Sequence, residues 1–332
     1  MKQYTHAWLA MMAIKRLEKG PIPETEGTGS KCKEINRYAR TLVRWFKNHR
    51  DFVVQGAWYP DAVFKDMGTS HGLKHTLFLA GEKPRYLKLP DTMEVRRLMM
   101  SESKIYKEKT PFIVDEKTNL NDRCEALCHT VVDNFKIQYR EEKGNSIAPS
   151  STHMAMRMFI LSHYIADGHM PLHCDARSLG VIHAAIEAQW ENQVKKCYRI
   201  DKDNERFFYD PDGYPLANEK ISDLMKAVEE NIITRPFVYA WGSGISSARE
   251  YMEAVTQYSF LLAQEMVPTD VGNVNWTDYQ ETEAVKDFDK YSAMILTDAI
   301  DSIARAWLHV WIRYREWGPD KSRKDTGDIY AK

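Results

Sequence analysis

Five of the eleven histidines, His153, His163, His169, His173 and His183, fall within 31 residues of a 332-residue chain. An even spread would place about one there. The densest part reads Leu161-Ser-His-Tyr-Ile-Ala-Asp-Gly-His-Met-Pro-Leu-His-Cys-Asp-Ala-Arg177, and Val181-Ile-His-Ala-Ala-Ile-Glu-Ala-Gln-Trp190 follows. His163 and Asp167 are four apart, as are His183 and Glu187. On a helix each pair lies about one turn apart on one face, where an imidazole and a carboxylate can grip one cation. Phe159, Ile160, Leu161 and Ile165 flank the first pair, and Val181, Ile182 and Ile186 the second. These neighbours draw the polar groups inward with the core face, where partners are obligatory. Pro171 cannot continue helical hydrogen bonding, so a kink is expected there that turns His173 towards the second pair. One His/acid pair at this spacing is ordinarily a surface ion pair; two pairs plus His173 point to a metal. Nitrogen and oxygen ligands without clustered thiolates suit Zn²⁺ with open positions for water, a catalytic rather than a structural arrangement.

The rest of the chain reads as helices. Only 16 Gly and 13 Pro, about 9% of residues, supply turns, below the average of about 12%. Residues 5–17 predict a buried helix capped by Thr5 and ended by Gly20-Pro21. Residues 31–48 predict an amphipathic helix through Ile35, Tyr38, Leu42, Trp45 and Phe46, whose Lys/Arg-rich flank reads as a solvated face. A loop-rich stretch is expected from Gly56 to about Thr92. Helical patterns follow over 92–107, 121–137, 152–166, 183–194, 220–232, 245–265 and 284–317. Residues 200–218 read as a loop or short hairpin, and 266–279 as an uncapped connection.

At 46 Lys and Arg against 47 Asp and Glu, with 43% hydrophobic residues, the chain is neither disordered, nor a polyanion-binding tail, nor a small disulfide scaffold. Five cysteines, Cys32, Cys124, Cys128, Cys174 and Cys197, are an odd count that fits a reducing compartment. The apolar stretch Ala7–Ile14 is too short for a membrane span and has no cleavage signal after it. On these grounds the expectation is a soluble, cytoplasmic protein.

The histidine-rich segment resembles the zinc-dependent phospholipases C and the related single-strand-preferring zinc nucleases. They share His-x3-Asp, then Pro-Leu-His with that His six residues after the Asp, then His-x3-Glu or His-x3-Asp. His163, Asp167, Pro171-Leu172-His173, His183 and Glu187 match position for position. Gly56-Ala-Trp-Tyr-Pro-Asp61 looks like the family's upstream Asp motif, with His71 preferred over His75 as its partner. His6 resembles the His on the family's first helix. The resemblance implies an all-α, single-domain fold over 1–332, with the motifs in 1–195 and a helical extension over 196–332. It implies two or three zinc ions at the bottom of a cleft. Asp61, His71, His163 and Asp167 would hold one, and His173, His183 and Glu187 a second, while Asp167 bridges to a third beside His6. Members are usually secreted and begin with a Trp that caps the cluster; this chain begins Met1-Lys-Gln-Tyr-Thr-His6.

Zinc lowers the pKa of bound water towards about 7, and adjacent ions neutralise a phosphate ester, so in-line phosphodiester hydrolysis is the implied reaction. Asp61 is the implied general base. A phospholipid substrate is favoured by the closing His-x3-Glu. A zinc nuclease is the alternative, although a net charge of −1 supplies no broad positive field. A third reading is a non-catalytic binding protein whose helices zinc staples together. His-Asp phosphohydrolases need a His-Asp dipeptide, and none occurs.

Other residues have plainer readings. Arg177 is a candidate phosphate contact or a solvated side chain. Cys124, Cys128 and His129 read as buried thiols and a neighbour rather than a zinc site. Asp201-Lys-Asp-Asn-Glu lacks the Gly and Glu of a calcium loop. His169 reads as an outer neighbour of the ligands or as exposed. Trp58 and Tyr59 either line the cleft, meeting a choline by cation–π contact, or anchor their loop. Trp241, Trp276, Trp307, Trp311 and Trp317 read as core.

Overall fold

The first helix sets the plan, because its apolar residues are too dense for a surface stripe. In the computed structural model, which describes residues 1–20, 29–64, 69–77, 112–140, 148–241 and 245–317, this is α1 (Gln3–Lys19), with 13 of its 17 residues buried. Gly20 ends it, donating its backbone N–H to Arg16 O at 2.9 Å. The N-terminus departs from expectation: Lys2, not Thr5, is the N-cap residue and makes no side-chain bond there. The cap comes from a distant helix. Glu191 accepts hydrogen bonds from Tyr4 N (3.3 Å), Thr5 N (2.9 Å) and Thr5 Oγ1 (3.0 Å). A carboxylate there satisfies orphan amides and faces the positive end of the helix dipole.

Helix α2 (Gly29–Lys47) follows the expected stripe, with Ile35, Tyr38, Leu42, Trp45 and Phe46 buried and Lys33, Arg37, Arg40 and Arg44 exposed. Residues 56–63 correct the sequence reading. They are not loop but most of α3 (Val53–Val63), with Pro60 inside the helix. Packing against a later helix, α5 (Ser151–Gly168), outweighs the proline's missing donor. Gly56 lets the two backbones come so close that a Cβ there would lie 2.8 Å from the Cβ of Phe159 on that partner.

The remaining helices are α4 (Leu120–Arg140), α5 (Ser151–Gly168), α6 (Gly180–Cys197), α7 (Asp223–Thr234), α8 (Ala248–Met266), α9 (Trp276–Gln280) and α10 (Phe288–Trp317). Ser150, Ser222 and Ser247 cap α5, α7 and α8 by accepting from His153 N, Met225 N and Glu250 N. Helix α9 was not foreseen in the connection after residue 266, where Asn275 caps it by accepting from Asp278 N at 3.0 Å. The helix expected at 92–107 lies outside the described residues.

Strands are few. An antiparallel ribbon pairs β1 (His75–Leu77) with β2 (Phe112–Val114), and a hairpin pairs β3 (Ile200–Asp201) with β4 (Arg206–Phe207). The chain is therefore all-α in class, with 71% of the described residues helical, and none of its described helices is long and apolar enough to cross a membrane. Trp307 and Trp311 on α10 are buried, the indole of Trp307 donating to Met158 O at 2.8 Å. Trp241 is buried too, whereas Trp276 and Trp317 are half-buried.

His75 belongs to this core rather than to the polar cluster, its Nε2 lying 3.0 Å from Thr256 Oγ1. Burial pushes its pKa down to about 4. Because the folded value lies below the ordinary 6.5, the unfolded chain binds the proton more readily. The stability of the neutral ring is thus complete above about pH 6.5 and is lost as pH falls from there through about 4. Between pH 7 and pH 4.5, wild type should lose about 2–3 kcal/mol more unfolding free energy than His75→Gln. Urea melts at the two pH values measure this, and equal losses in both proteins would refute it.

Candidate metal centre

Helix α5 presents His163 and Asp167 one turn apart, both buried. The kink anticipated at Pro171 takes another form: α5 has already ended at Gly168, and Pro171 opens a 3-10 turn, Pro171–His173. That turn is tied to the ribbon, since His75 N donates to Cys174 O (2.8 Å) and Ala176 N to His75 O (3.2 Å). Gly72 fits against it because it lacks a side chain; a Cβ there would stand 2.3 Å from His173 O. Helix α6 brings His183 and Glu187, α3 brings Asp61, the segment before β1 brings His71, and α1 brings His6.

These eight side chains converge. Asp167 Oδ2 lies 2.8 Å from His71 Nδ1 and 3.1 Å from His163 Nε2, while its Oδ1 is 3.4 Å from both His6 Nε2 and His173 Nδ1. Asp61 Oδ1 stands 3.6 Å from His71 Nδ1 and 3.7 Å from His163 Nε2. Glu187 Oε1 lies 2.9 Å from His183 Nε2 and 3.4 Å from His173 Nε2. The backbone nitrogen of Met1 joins them, 2.6 Å from Glu187 Oε1 and 3.1 Å from Asp167 Oδ1. Three triads have ligand atoms within 4.8 Å of one another: His6, Asp61 and His163; His71, His163 and Asp167; and His173, His183 and Glu187.

The donor inventory of this cluster closes only with protons or metal ions placed among its nitrogens and oxygens. His163 Nδ1 is 2.7 Å from the carbonyl of Ala57, so it carries the proton and donates. In the neutral ring its Nε2 then offers a lone pair to Asp167 Oδ2 and to His71 Nδ1, itself 3.1 Å away, whereas in the doubly protonated ring it donates to Asp167. Facing lone pairs at that distance repel unless a proton or a metal ion lies among them. His6 is buried with neither ring nitrogen hydrogen-bonded, and its ring stacks on His163 at 3.9 Å. His173 Nδ1 is likewise unsatisfied. All-nitrogen and oxygen donors in these triads could hold a metal ion.

Charge sorts the protonation states. Burial raises the Asp167 pKa, but the Met1 amine and His163, His173 and His6 outweigh it and hold the carboxyl well below its usual range. Glu187 is lowered in the same way, against burial, by the amine and by His173 and His183. Asp61 moves upward through burial and the neighbouring Asp167 charge. Burial lowers His6 far below its ordinary value, helped by His163 and the amine, and lowers His173 as well. His71 goes up, because the Asp167 hydrogen bond and charge overcome burial. The Met1 amine is held up at about 11, its burial outweighed by Asp167 and Glu187.

A cleft of about 400 Å³ opens onto the cluster, and Asp61, His71, His173, His183 and Glu187 line it together with Lys74, Thr118 and Leu172. Its described lining includes neither Trp58 nor Tyr59. Trp58 packs 6.4 Å from His6, and Tyr59 edges onto Phe64. Arg177 is no phosphate contact here, because its guanidinium is held by Asp175 and by the carbonyls of Val267 and Ala263. His169 is not exposed; it is buried, its Nε2 2.8 Å from Ser302 Oγ and its backbone N–H on the carbonyls of Ala166 and Asp167. Cys124 and Cys128 are buried free thiols, and His129 is exposed beside Glu125.

Sequence reasoning missed Glu191 and the Ala57 carbonyl. Glu191 follows Glu187 by four residues on α6, so it shares a face with a candidate ligand while anchoring the helix that bears His6. That spacing was the available signal. Comparison of the chain with protein-family models, with curated proteins and with solved structures returned no match.

Proposed function

We propose that the chain is a zinc-dependent phosphodiester hydrolase of the phospholipase C and zinc nuclease type, with the fold of that family. The observation that carries the reading is the convergence of nitrogen and oxygen ligand atoms in three triads about Asp167, with His163 Nε2 3.1 Å from its carboxylate and buried His6 hydrogen-bonded at neither ring nitrogen. His6, Asp61, His71, His163, Asp167, His173, His183 and Glu187 would hold two or three ions. Bound zinc supplies acidified water and a positive clamp for phosphoryl oxygens.

The chain's own residues do the rest. Ala57 fixes the His163 tautomer, and Asp167 sits between the triads, where one carboxylate can serve more than one ion. Asp61 lines the cleft with its side chain 29% exposed, so water reaches it. Its raised pKa suits it to accept a proton from attacking water. A phospholipid-like substrate is preferred on the His183-x3-Glu187 ending, with single-stranded nucleic acid second.

Elemental analysis of purified protein, with turnover of bis(4-nitrophenyl) phosphate before and after chelation, tests the reading. Two or three zinc ions per chain and hydrolysis that stops on chelation and returns with zinc are expected. Zinc without turnover would leave only a metal staple between helices, and no bound metal would overturn both.

A further inference from the structure

Lys74 is the one lysine among the described residues that line the cleft. Its backbone is pinned on both sides: Lys74 N donates to Thr118 Oγ1 (3.0 Å), and Lys74 O accepts from Asp115 N (2.8 Å). The next residue, His75, turns its side chain into the core, and neighbouring residues of extended chain face opposite ways. Lys74 is thereby directed to the cleft, half-buried, between the segment bearing His71 and Thr118. Among the described residues its ammonium makes no ion pair, although Asp61 and Glu187 line the same cleft. Those carboxylates are turned to the histidines and to the Met1 amine.

The described lining contains no aromatic ring other than the imidazoles of His71, His173 and His183. A quaternary ammonium group needs aromatic faces or a spare carboxylate, and a lysine at the entrance repels it. An anionic oxygen, by contrast, finds in Lys74 a half-buried cation that lines the cleft and makes no ion pair among the described residues.

We propose that Lys74 is a specificity residue that grips an anionic oxygen of the substrate, so that the cleft takes phosphodiesters whose second ester group, the one that stays on phosphorus, is anionic or uncharged and rejects those in which it bears a trimethylammonium head. The proposal rests on the hydrolase reading above for its substrate class, but not for the anion contact itself.

The test uses the zinc-loaded full chain and its Lys74→Met, Lys74→Arg and Lys74→Glu variants, with zinc content measured in each. Turnover of bis(4-nitrophenyl) phosphate and 4-nitrophenylphosphorylcholine is compared, and inorganic phosphate is titrated by calorimetry. Wild type should favour the diester that keeps an uncharged aryl group on phosphorus over the one that keeps choline, 4-nitrophenolate leaving from both. Lys74→Met should raise KM and weaken phosphate binding by about tenfold while kcat stays within about twofold, and Lys74→Arg should restore both. Lys74→Glu should move the kcat/KM ratio towards the choline ester by about a hundredfold. Unchanged phosphate affinity in Lys74→Met, or an unmoved ratio in Lys74→Glu at full zinc content, overturns the proposal. If wild type hydrolyses neither ester the hydrolase reading fails, and the phosphate titration still decides the role of Lys74.

Discussion

Asp167→Ala is expected to strip the centre of most of its metal and to lower phosphodiester turnover by about a thousandfold or more. No other side chain touches so many of the candidate ligands, with His71, His163, His6 and His173 all within 3.4 Å of its two oxygens. Removing it leaves four imidazoles and the Met1 amine facing one another in a buried space, where a second cation is repelled rather than held. His173→Ala should act in the same direction through the triad with His183 and Glu187. Asp167→Asn keeps the shape and serves as the folding control, checked by circular dichroism beside elemental analysis. Wild-type metal content in a folded Asp167→Ala protein would remove the assignment at its centre.

Metal removal should also soften the fold, because the ligands come from α1, α3, α5 and α6 and from the segments around His71 and His173. A ligand present at a thousand times its Kd adds about 4 kcal/mol to the folded state. At roughly 2 °C per kcal/mol for a chain of this size, chelation should lower Tm by about 8 °C. Differential scanning calorimetry with and without chelator reads the shift, and zinc should reverse it. A Tm that does not move when elemental analysis shows the metal gone would mean that the helices hold their positions without it.

Much of this centre was legible because its densest part is local. His163 with Asp167, and His183 with Glu187, are neighbours on single helices, so spacing alone put each pair on one face. Asp61 was legible as a residue but not in its setting. Pro60 reads as a helix breaker, and only the close approach allowed by Gly56 against Phe159 explains why α3 runs through it. Thr5 was taken for a cap by the local rule, whereas the carboxylate that satisfies those amides lies 186 residues on. Arg177 was misread, and the side-chain partner of His169 missed, for a related reason. Their partners, on or just after α8 and on α10, are brought near by tertiary packing, which periodicity does not encode.

The anchoring of α1 by Glu191 bears on the order in which the molecule is made. Helix α1 leaves the ribosome before its partners, and although α2 and α3 soon pack on it, part of its cover comes only from α6 and, later still, from α10, whose Asp301 pairs with Arg16 at 2.7 Å. Contacts between such distant residues form slowly, since a long loop must close before they are rewarded. At about 5–20 residues per second, some ten seconds or more separate the synthesis of α1 from that of its last partner. Through that interval a helix with almost no polar face waits only partly covered, a natural client for a holding chaperone and the segment on which premature association of nascent chains would begin.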